Sequence, residues 1–147
     1  MVKSMIKIRT AAMSDCDSLL KLSVQLGYNP SIKTVLAGLD AMKSNLDYEV
    51  VVITDDNVVV GWMSLFVRRR IEDVSFLQVA AIVTDESRRG SGFGKKLMGF
   101  AEQRASEKEL LFVGLHSSKS RNDAHPFYER SGYVKSKESY FFRKDSV

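Results

Sequence analysis

Three glycines at alternate positions, Gly90, Gly92 and Gly94, follow two arginines and precede two lysines. Because glycine has no side chain beyond its α-carbon, this run leaves several backbone N–H groups uncovered. From Leu97 onward apolar residues recur at helical spacing, so the glycines lie where a loop becomes a helix. A helix start carries unpaired N–H groups and a partial positive charge. The stretch 88–97 therefore predicts a turn that binds phosphate oxygens.

The spacing of these glycines excludes two common nucleotide-binding loops. The nucleoside-triphosphate loop needs Gly, four residues and then Gly-Lys-Ser/Thr, but Arg89 replaces its first glycine and Lys96 its hydroxyl residue. The dinucleotide fingerprint needs Gly-x-Gly-x-x-Gly near the start of a βαβ unit, whereas the glycines here are spaced two and two. A different phosphate ligand is indicated.

The elements that position this turn can be predicted from apolar periodicity. Strands are expected over residues 5–9, 48–53, 58–67, 75–84, 110–115, 133–134 and 140–142. Helices are expected over 14–27, over 29–46, after the glycines and over 121–130, the last ending at Ser131-Gly132. We see no repeat and no linker, so we expect one α/β domain over residues 1–147.

The strand that leads into the glycines, residues 78–84, is apolar throughout, as is typical of a strand covered on both faces. Ala80 and Ala81 stand in its middle, where two consecutive alanines are unusual. They favour a β-bulge, or else they make room for a bulky side chain in the core. The residues alone leave both interpretations open.

Composition narrows the function classes. A chain of 147 residues with 44% hydrophobic and 27% charged residues is typical of a soluble globular protein. A net charge of +4 favours an anionic ligand. The single cysteine, Cys16, cannot form an internal disulfide, and with two histidines no Cys/His zinc site is expected. Without an apolar run of about 20 residues or a signal-peptide pattern, we expect a cytoplasmic protein that binds no metal and does not engage a membrane.

Two motifs resemble the C-terminal signatures of the GCN5-related N-acetyltransferases (GNAT). The first is Arg89-x-x-Gly92-x-Gly94, and the second is Ala124-x-x-Phe127-Tyr128-Glu129-x-x-Gly132-Tyr133. The resemblance covers roughly residues 47–144. Within the family, the chain resembles small bacterial members related to aminoglycoside N-acetyltransferases. It implies an α/β (α+β) fold with one mixed central β-sheet of about six to seven strands, about four flanking helices and a splayed strand pair that holds coenzyme A.

The resemblance also implies an activity and the residues that support it. The activity is transfer of an acetyl group from acetyl-coenzyme A (acetyl-CoA) to a primary amine of a small molecule or peptide, by direct attack in a ternary complex. Tyr128 is implied as the general acid that protonates the leaving sulfur, and a backbone N–H near Val83 as an oxyanion donor. The pantetheine arm would pair with Ile82, Val83 and Thr84. The pyrophosphate would lie on Arg89, Gly90, Ser91, Gly92, Phe93, Gly94 and Lys95.

Two positions depart from the family pattern. Arg121 stands where members often carry an asparagine that contacts the cofactor arm, and Asn122 follows one place later, so either residue could make that contact. Gln78 stands where many members place a glutamate as general base, and glutamine cannot take a proton. A water chain, Glu72 or Asp73 could remove the proton of the amine instead.

Other interpretations remain open at this stage. Because Gln78 replaces an acid, the domain could be a non-catalytic acyl-CoA sensor or a module that docks a partner. The run 68–70 of three arginines could bind nucleic acid, but no aromatic residues are interleaved with it, so we expect a solvated hairpin loop and no nucleic-acid partner. Trp62 could line the acceptor pocket, which we expect the two N-terminal helices and the 68–73 loop to form. A homodimer is implied only by the resemblance to the family.

Overall fold

The computed structural model describes residues 4–117 and 124–146, which fall into two compact units, Met1–His116 and Ser117–Val147. The strands of the first unit are β1 (Ile6–Thr10), β2 (Tyr48–Asp55), β3 (Val58–Arg68), β4 (Phe76–Thr84) and β5 (Val113–Leu115). Its helices are α1 (Cys16–Gln25), α2 (Ile32–Lys43) and α3 (Phe93–Glu107), with short 3-10 turns at Met13–Asp15 and Glu86–Arg88. The described part of the second unit contains one helix, α4 (Ala124–Arg130).

The five strands form one mixed sheet in the order β1-β2-β3-β4-β5. The first four strands pair antiparallel, and β5 pairs parallel to β4. A parallel pair requires a crossover connection, and α3 supplies it between β4 and β5. The glycines thus lie at the start of the crossover, where β4 ends.

Helices cover both faces of this sheet. Leu19 of α1 and Leu39 of α2 pack in one buried cluster with Val50 and Val52 of β2. Val51 points to the opposite face, because side chains alternate along a strand, and it is buried as well. On that side α3 contacts β3, β4 and β5, and its buried residues are Phe93, Leu97, Met98, Ala101 and Ala105.

The predicted α/β fold with one mixed sheet and four helices is confirmed, but the described residues form five strands, fewer than the predicted six to seven. Residues 133–134 and 140–142 form no strand in the described part of the chain. Their aromatic and β-branched residues favour strands, yet two segments this short offer few ladder hydrogen bonds, and an isolated pair is marginal in water. Strand β5 is also shorter than predicted, because the N–H of Leu110 still donates to Ala105 at the end of α3.

The entry to α1 is held by an ion pair between Arg9 and Asp15. The guanidinium donates to both carboxylate oxygens, at 2.7 and 2.9 Å, and the N–H of Ala12 donates to the same carboxylate at 2.7 Å. The Asp15 side chain is only 8% exposed. The hydrogen bonds from Arg9 hold the pKa of this carboxyl below its usual range, although burial opposes the shift.

We predict that Asp15→Asn lowers the free energy of unfolding by about 2 kcal/mol at pH 7, because it leaves a guanidinium without its charged partner. A lowered pKa in the folded state stabilises the protein above the unfolded-state pKa of about 3.9, and this contribution is lost as the pH falls through the folded-state pKa. The difference between wild type and variant, measured by urea unfolding, should therefore shrink below about pH 4.

The matched control is Asp17→Asn, since Asp17 is exposed in the first turn of the same helix. It should change the unfolding free energy by about 0.5 kcal/mol or less. Equal losses in the two variants, or a loss for Asp15→Asn that does not depend on pH, would contradict the prediction.

Candidate active site

A β-bulge lies at Ala80. On β3, Ser64 and Leu65 are consecutive, but their partners on β4 are Ala81 and Val79, so Ala80 is an extra residue without a partner. The bulge that the two alanines favour is therefore confirmed. An extra residue shifts the alternation of side chains along the rest of the strand.

Because of the bulge, Gln78 and Ala81 lie on the same face of the sheet although they are three residues apart on β4. Gln78 lies opposite Phe66, and Ala81, three residues later, lies opposite Ser64. Directly opposite residues share a face of the sheet, and Phe66 and Ser64 are two apart on β3, so all four side chains lie on one side. This is the side of Val50, which pairs with Ser64 and packs against α1 and α2.

Beyond the bulge one edge of β4 is open. Pairing between β4 and β5 involves only Leu77, Gln78 and Val79 on the β4 side. No described strand pairs with residues 80–84 along that edge, which we call the open edge of β4. Backbone groups there are available to a ligand that carries amides, which can bind as an added strand would. Ile82, Val83 and Thr84, predicted to contact pantetheine, all belong to this edge.

Gly61 of β3 pairs with Thr84, on the edge of β4 opposite the open edge. A β-carbon at this position would lie 2.8 Å from the carbonyl oxygen of Val83, 2.9 Å from Cγ2 of Ile53 and 3.3 Å from Cγ2 of Thr84. Contacts under 3.0 Å with backbone require a displacement. Only glycine therefore lets β3 approach the open edge of β4 so closely.

The glycine loop (residues 89–95) follows the open edge after one 3-10 turn. Gly90 and Gly92 have φ values of 86° and 80°, a left-handed conformation that glycine adopts without strain. Gly92 is the N-cap of α3 and supplies no capping side chain, and an added β-carbon at either glycine would meet nothing within 4 Å. The N–H of Lys96 is the first to bond inside the helix, to Gly92, and the N–H of Ser91 donates to Arg88 at 3.3 Å. The N–H groups of Gly90 and of residues 92–95 therefore have no partner among the described residues.

The two arginines before the glycines have different surroundings. Arg88 donates to Asp55 at 3.1 Å and is thereby tied to the end of β2. Arg89 is exposed, and within the described residues its guanidinium makes no hydrogen bond or ion pair. Lys95 and Lys96 are exposed at the start of α3. The loop therefore combines outward amides with one uncommitted guanidinium, an arrangement suited to a phosphate ester.

Gln25 at the end of α1 fixes the start of this loop. Its side-chain Oε1 accepts from the N–H of Glu86 at 2.8 Å, and its side-chain Nε2 donates to the carboxylate of Asp85 at 3.4 Å. Hydrogen bonds from Ser87 hold the pKa of the Asp85 carboxyl below its usual range. The sequence analysis missed Gln25, because a polar residue at the end of a helix carries no signal of a contact sixty residues away.

Tyr128 belongs to the second unit and lies on α4. Its ring is half-buried and makes edge contacts with Phe127 and Tyr133, at centroid distances of 5.2 and 6.1 Å. The helix ends as predicted: Gly132 has a φ of 92°, its N–H donates to Glu129, and the N–H of Tyr133 donates to Tyr128. The predicted cofactor contacts Arg121 and Asn122 lie outside the described residues.

Gln78, at the position of the frequent general base, is 9% exposed. Its Oε1 is buried without a hydrogen-bond partner among the described residues. Glu72 and Asp73 precede β4, whose nine residues span about 26 Å, so they lie at the opposite end of the strand from Thr84. In the same loop Arg69 binds Asp47 through two hydrogen bonds, each of 2.9 Å.

A cavity of about 400 Å³ opens between α1, α2 and the sheet. We call it the α1–α2 cavity, and Ala80 and Ala81 of the bulge form part of its wall. Trp62 lines it too, whereas no residue of the 68–73 loop does. The other lining residues are Leu19, Ser23, Leu26, Tyr28, Pro30, Thr34, Val35, Gly38, Leu39, Met42, Val50 and Ser64.

Within residues 4–117 and 124–146 no group of three or more His, Cys, Asp or Glu residues is placed to hold a metal ion. None of the helices in this part of the chain has the length and apolar character required to cross a membrane.

Comparisons with known proteins agree with this geometry. The profile of the Acetyltransferase (GNAT) family matches residues 16–133. Uncharacterized N-acetyltransferase YhdJ of Bacillus subtilis is 32% identical over 114 residues, covering 77% of this chain and 79% of that protein. Aminoalkylphosphonate N-acetyltransferase of Salmonella typhimurium is 27% identical over 139 residues, covering 92% and 87%. The solved structure of aminoglycoside N-acetyltransferase AAC(6')-Iy with CoA has a similar fold, with a TM-score of 0.87 at 16% identity and coverage of 99% and 98%.

We predict that Gly61→Ala lowers the free energy of unfolding by about 1–3 kcal/mol, because its β-carbon must displace the backbone of Val83. The same displacement should weaken acetyl-CoA binding by about tenfold, since it moves the open edge of β4. Urea unfolding and titration calorimetry measure the two effects.

The matched control is Gly99→Ala in α3, where an added β-carbon meets nothing within 4 Å. Alanine there should stabilise the helix by up to about 1 kcal/mol and leave acetyl-CoA affinity unchanged. Wild-type stability and affinity in Gly61→Ala would show that the close approach of β3 has no role.

Proposed function

Because the chain belongs to the GNAT family of acetyltransferases, we propose that its glycine loop and the open edge of β4 bind acetyl-CoA and that Tyr128 is the general acid. The family assignment makes the chain an acyl-CoA-dependent N-acetyltransferase, which transfers an acetyl group from acetyl-CoA to an amine. The observation that carries the residue-level proposal is the continuity of the site: the bulge at Ala80, the open edge and the outward amides of the loop follow one another along the chain.

The glycine loop would hold the pyrophosphate. The unpaired N–H groups of Gly90 and of residues 92–95 lie at the positive end of the α3 dipole, and the bare glycines let phosphate oxygens approach. The guanidinium of Arg89 is exposed and uncommitted, so it can add a charge-assisted hydrogen bond. The residues present therefore fit the group, and Arg121 or Asn122 is proposed as a further contact.

The open edge of β4 would hold the pantetheine arm. Ile82, Val83 and Thr84 have backbone N–H and C=O groups there, and the two amides of the arm can pair with such groups as another strand would. This pairing directs the thioester along β4 toward the bulge. An N–H near Val83 would then stabilise negative charge on the carbonyl oxygen of the acetyl group, a donor commonly worth about 3 kcal/mol.

Tyr128 would supply the proton that the sulfur takes as it leaves. A thiol has a pKa of about 8.5, so a thiolate released near pH 7 takes up a proton. A tyrosine hydroxyl, with an ordinary pKa of about 10, is protonated at that pH and can donate. The half-buried ring is held between Phe127 and Tyr133, which limits how it can turn.

The amine would attack the acetyl carbonyl directly in a ternary complex. Gln78 cannot take its proton. A water chain, Glu72 or Asp73 would take the proton of the amine before or during attack. Names of relatives suggest two acceptor classes, aminoalkylphosphonates and aminoglycosides, and both serve below as comparison acceptors. A cytoplasmic location, a homodimer, a single domain over 1–147 and the absence of a nucleic-acid partner stay predictions.

We predict that Arg89→Gln raises the Kd for acetyl-CoA by about tenfold, or about 1.4 kcal/mol, because a charged contact to phosphate is lost. Titration calorimetry at low salt measures it. Arg69→Gln is the matched control: it removes the same charge from a guanidinium bound to Asp47, and its Kd should stay at the wild-type value. An unchanged Kd in Arg89→Gln, or the same change in both variants, would remove Arg89 from the site.

We predict that Tyr128→Phe lowers kcat by about 100-fold or more while the Kd for acetyl-CoA stays the same, because the substitution removes the hydroxyl that donates the proton. Release of the CoA thiol reports kcat. Tyr133→Phe keeps the neighbouring ring and should retain wild-type turnover. Wild-type kcat in Tyr128→Phe would refute the general-acid role. The absence of thiol release with every amine tried would favour the alternative of a non-catalytic acyl-CoA sensor.

A further inference from the structure

The α1–α2 cavity meets the proposed reaction centre at one place, the bulge of β4. Ala80 and Ala81 form its wall there, on the face of the sheet that α1 and α2 cover. Apart from Ala80 and Ala81, no residue of the open edge or of the glycine loop lines the cavity, so the cavity meets the proposed cofactor path only at the bulge. A molecule in the cavity would therefore approach the acetyl group from the face of the sheet that α1 and α2 cover.

The wall of this cavity is apolar and uncharged. Among the described residues that line it there is no Asp, Glu, Lys, Arg or His. Its polar side chains are those of Ser23, Tyr28, Thr34, Ser64 and Trp62, four hydroxyls and one indole. Ser23 already donates its hydroxyl to Leu19 at 2.7 Å, and the indole nitrogen of Trp62 is buried away from solvent.

A charged body on the acceptor would find no partner in such a cavity. Moving a charge from water into apolar surroundings without an opposite charge costs several kcal/mol. An amino sugar with several ammonium groups needs carboxylates, and a phosphonate needs arginine, lysine or a set of outward amides. The described lining provides none of these charged side chains. At about 400 Å³ the cavity also lies near the small end of ligand pockets, which span about 300–1,000 Å³.

We infer that the α1–α2 cavity is the acceptor site and that it takes a compact primary amine with an apolar, uncharged body, such as a single aromatic ring or a branched alkyl group. This inference rests on the proposed function, because it assumes that the acetyl group is presented at the bulge. It departs from the two acceptor classes suggested by the relatives' names.

The apolar wall also bears on the missing general base. The attacking nitrogen must be neutral, and low-dielectric surroundings disfavour the ammonium form. In the transfer, the nitrogen forms a bond to the acetyl carbon, the carbon–sulfur bond breaks, the nitrogen releases one proton to water and the sulfur receives one from Tyr128. The tyrosinate then takes a proton back from water. The products are an N-substituted acetamide and the free thiol of CoA. The cavity thus favours the reactive form of the amine without a carboxylate.

Trp62 makes the inference directly measurable, because it is the only tryptophan of the chain and it lines the cavity. Titration with 2-phenylethylamine should change its fluorescence with a saturable profile, whereas neamine and 1-aminoethylphosphonate should leave it unchanged. In the acetylation assay with acetyl-CoA, kcat/KM for 2-phenylethylamine should exceed that of both comparison acceptors by about tenfold or more.

Gly38 offers a way to fill the cavity without disturbing the fold. It lines the cavity on α2, and a β-carbon added there meets nothing within 4 Å. Leucine is also a better helix former than glycine by roughly 0.8 kcal/mol. Gly38→Leu should therefore weaken 2-phenylethylamine binding by about tenfold or more and retain acetyl-CoA affinity. Ala37→Leu, the neighbouring exposed position on α2, adds a similar side chain outside the cavity and should bind as wild type.

The results of these experiments distinguish a failure of the acceptor inference from a failure of the proposed function. If acetyl-CoA binds but neamine or 1-aminoethylphosphonate is the better acceptor, the inference is wrong and the proposed function stands. Equal binding of 2-phenylethylamine by Gly38→Leu and Ala37→Leu also overturns it, because the amine then lies elsewhere. Failure of the wild-type protein to bind acetyl-CoA would overturn the inference together with the proposed function. Acetyl-CoA affinity of each variant reports that it is folded.

Discussion

The extra residue at Ala80 changes what β4 can do in its second half. Up to Val79 the strand pairs on both edges, with β3 and with β5. After the bulge it keeps β3 and has no described partner on the other edge, so its backbone groups are available to a ligand. The same residue resets the alternation, which places Ala81 on the face that α1 and α2 cover. The bulge therefore provides the open edge for a cofactor and a small-residue wall for the α1–α2 cavity.

Contacts on three sides hold this arrangement in place. Gly61 lets β3 approach Val83 within van der Waals distance, and the N–H of Asp85 donates to Val60 at 2.8 Å. Gln25 binds the turn that follows, and Arg88 ties the same turn to Asp55. Because β2, β3 and α1 fix the segment before the loop, the N–H groups of its glycines can stay available to a ligand. A site of this kind binds through backbone groups, so its supporting contacts matter as much as its side chains.

Much of this could be predicted from the sequence, for identifiable reasons. Glycine spacing, the helical period after Leu97 and the alanine pair on β4 are local signals, and each corresponds to the element observed. Contacts between distant residues could not be predicted, because Gln25 and Asp85 are sixty positions apart and carry no shared pattern. The strand predictions for 133–134 and 140–142 relied on aromatic and β-branched propensity, but two segments this short offer few ladder hydrogen bonds, which explains why neither is a strand in the described part of the chain. The apolar character of the α1–α2 cavity emerges only when α1, α2 and the bulge are brought together.

The central claim is that one continuous stretch of backbone, the open edge of β4 and the glycine loop, binds acetyl-CoA. Amide hydrogen exchange with and without saturating acetyl-CoA tests it most directly, because it follows backbone N–H groups. The account predicts slower exchange in peptides covering residues 80–84 and 89–95, and little change in peptides covering α2, which packs on the other face of the sheet. Unchanged exchange in both segments at a concentration where calorimetry shows full binding would contradict it.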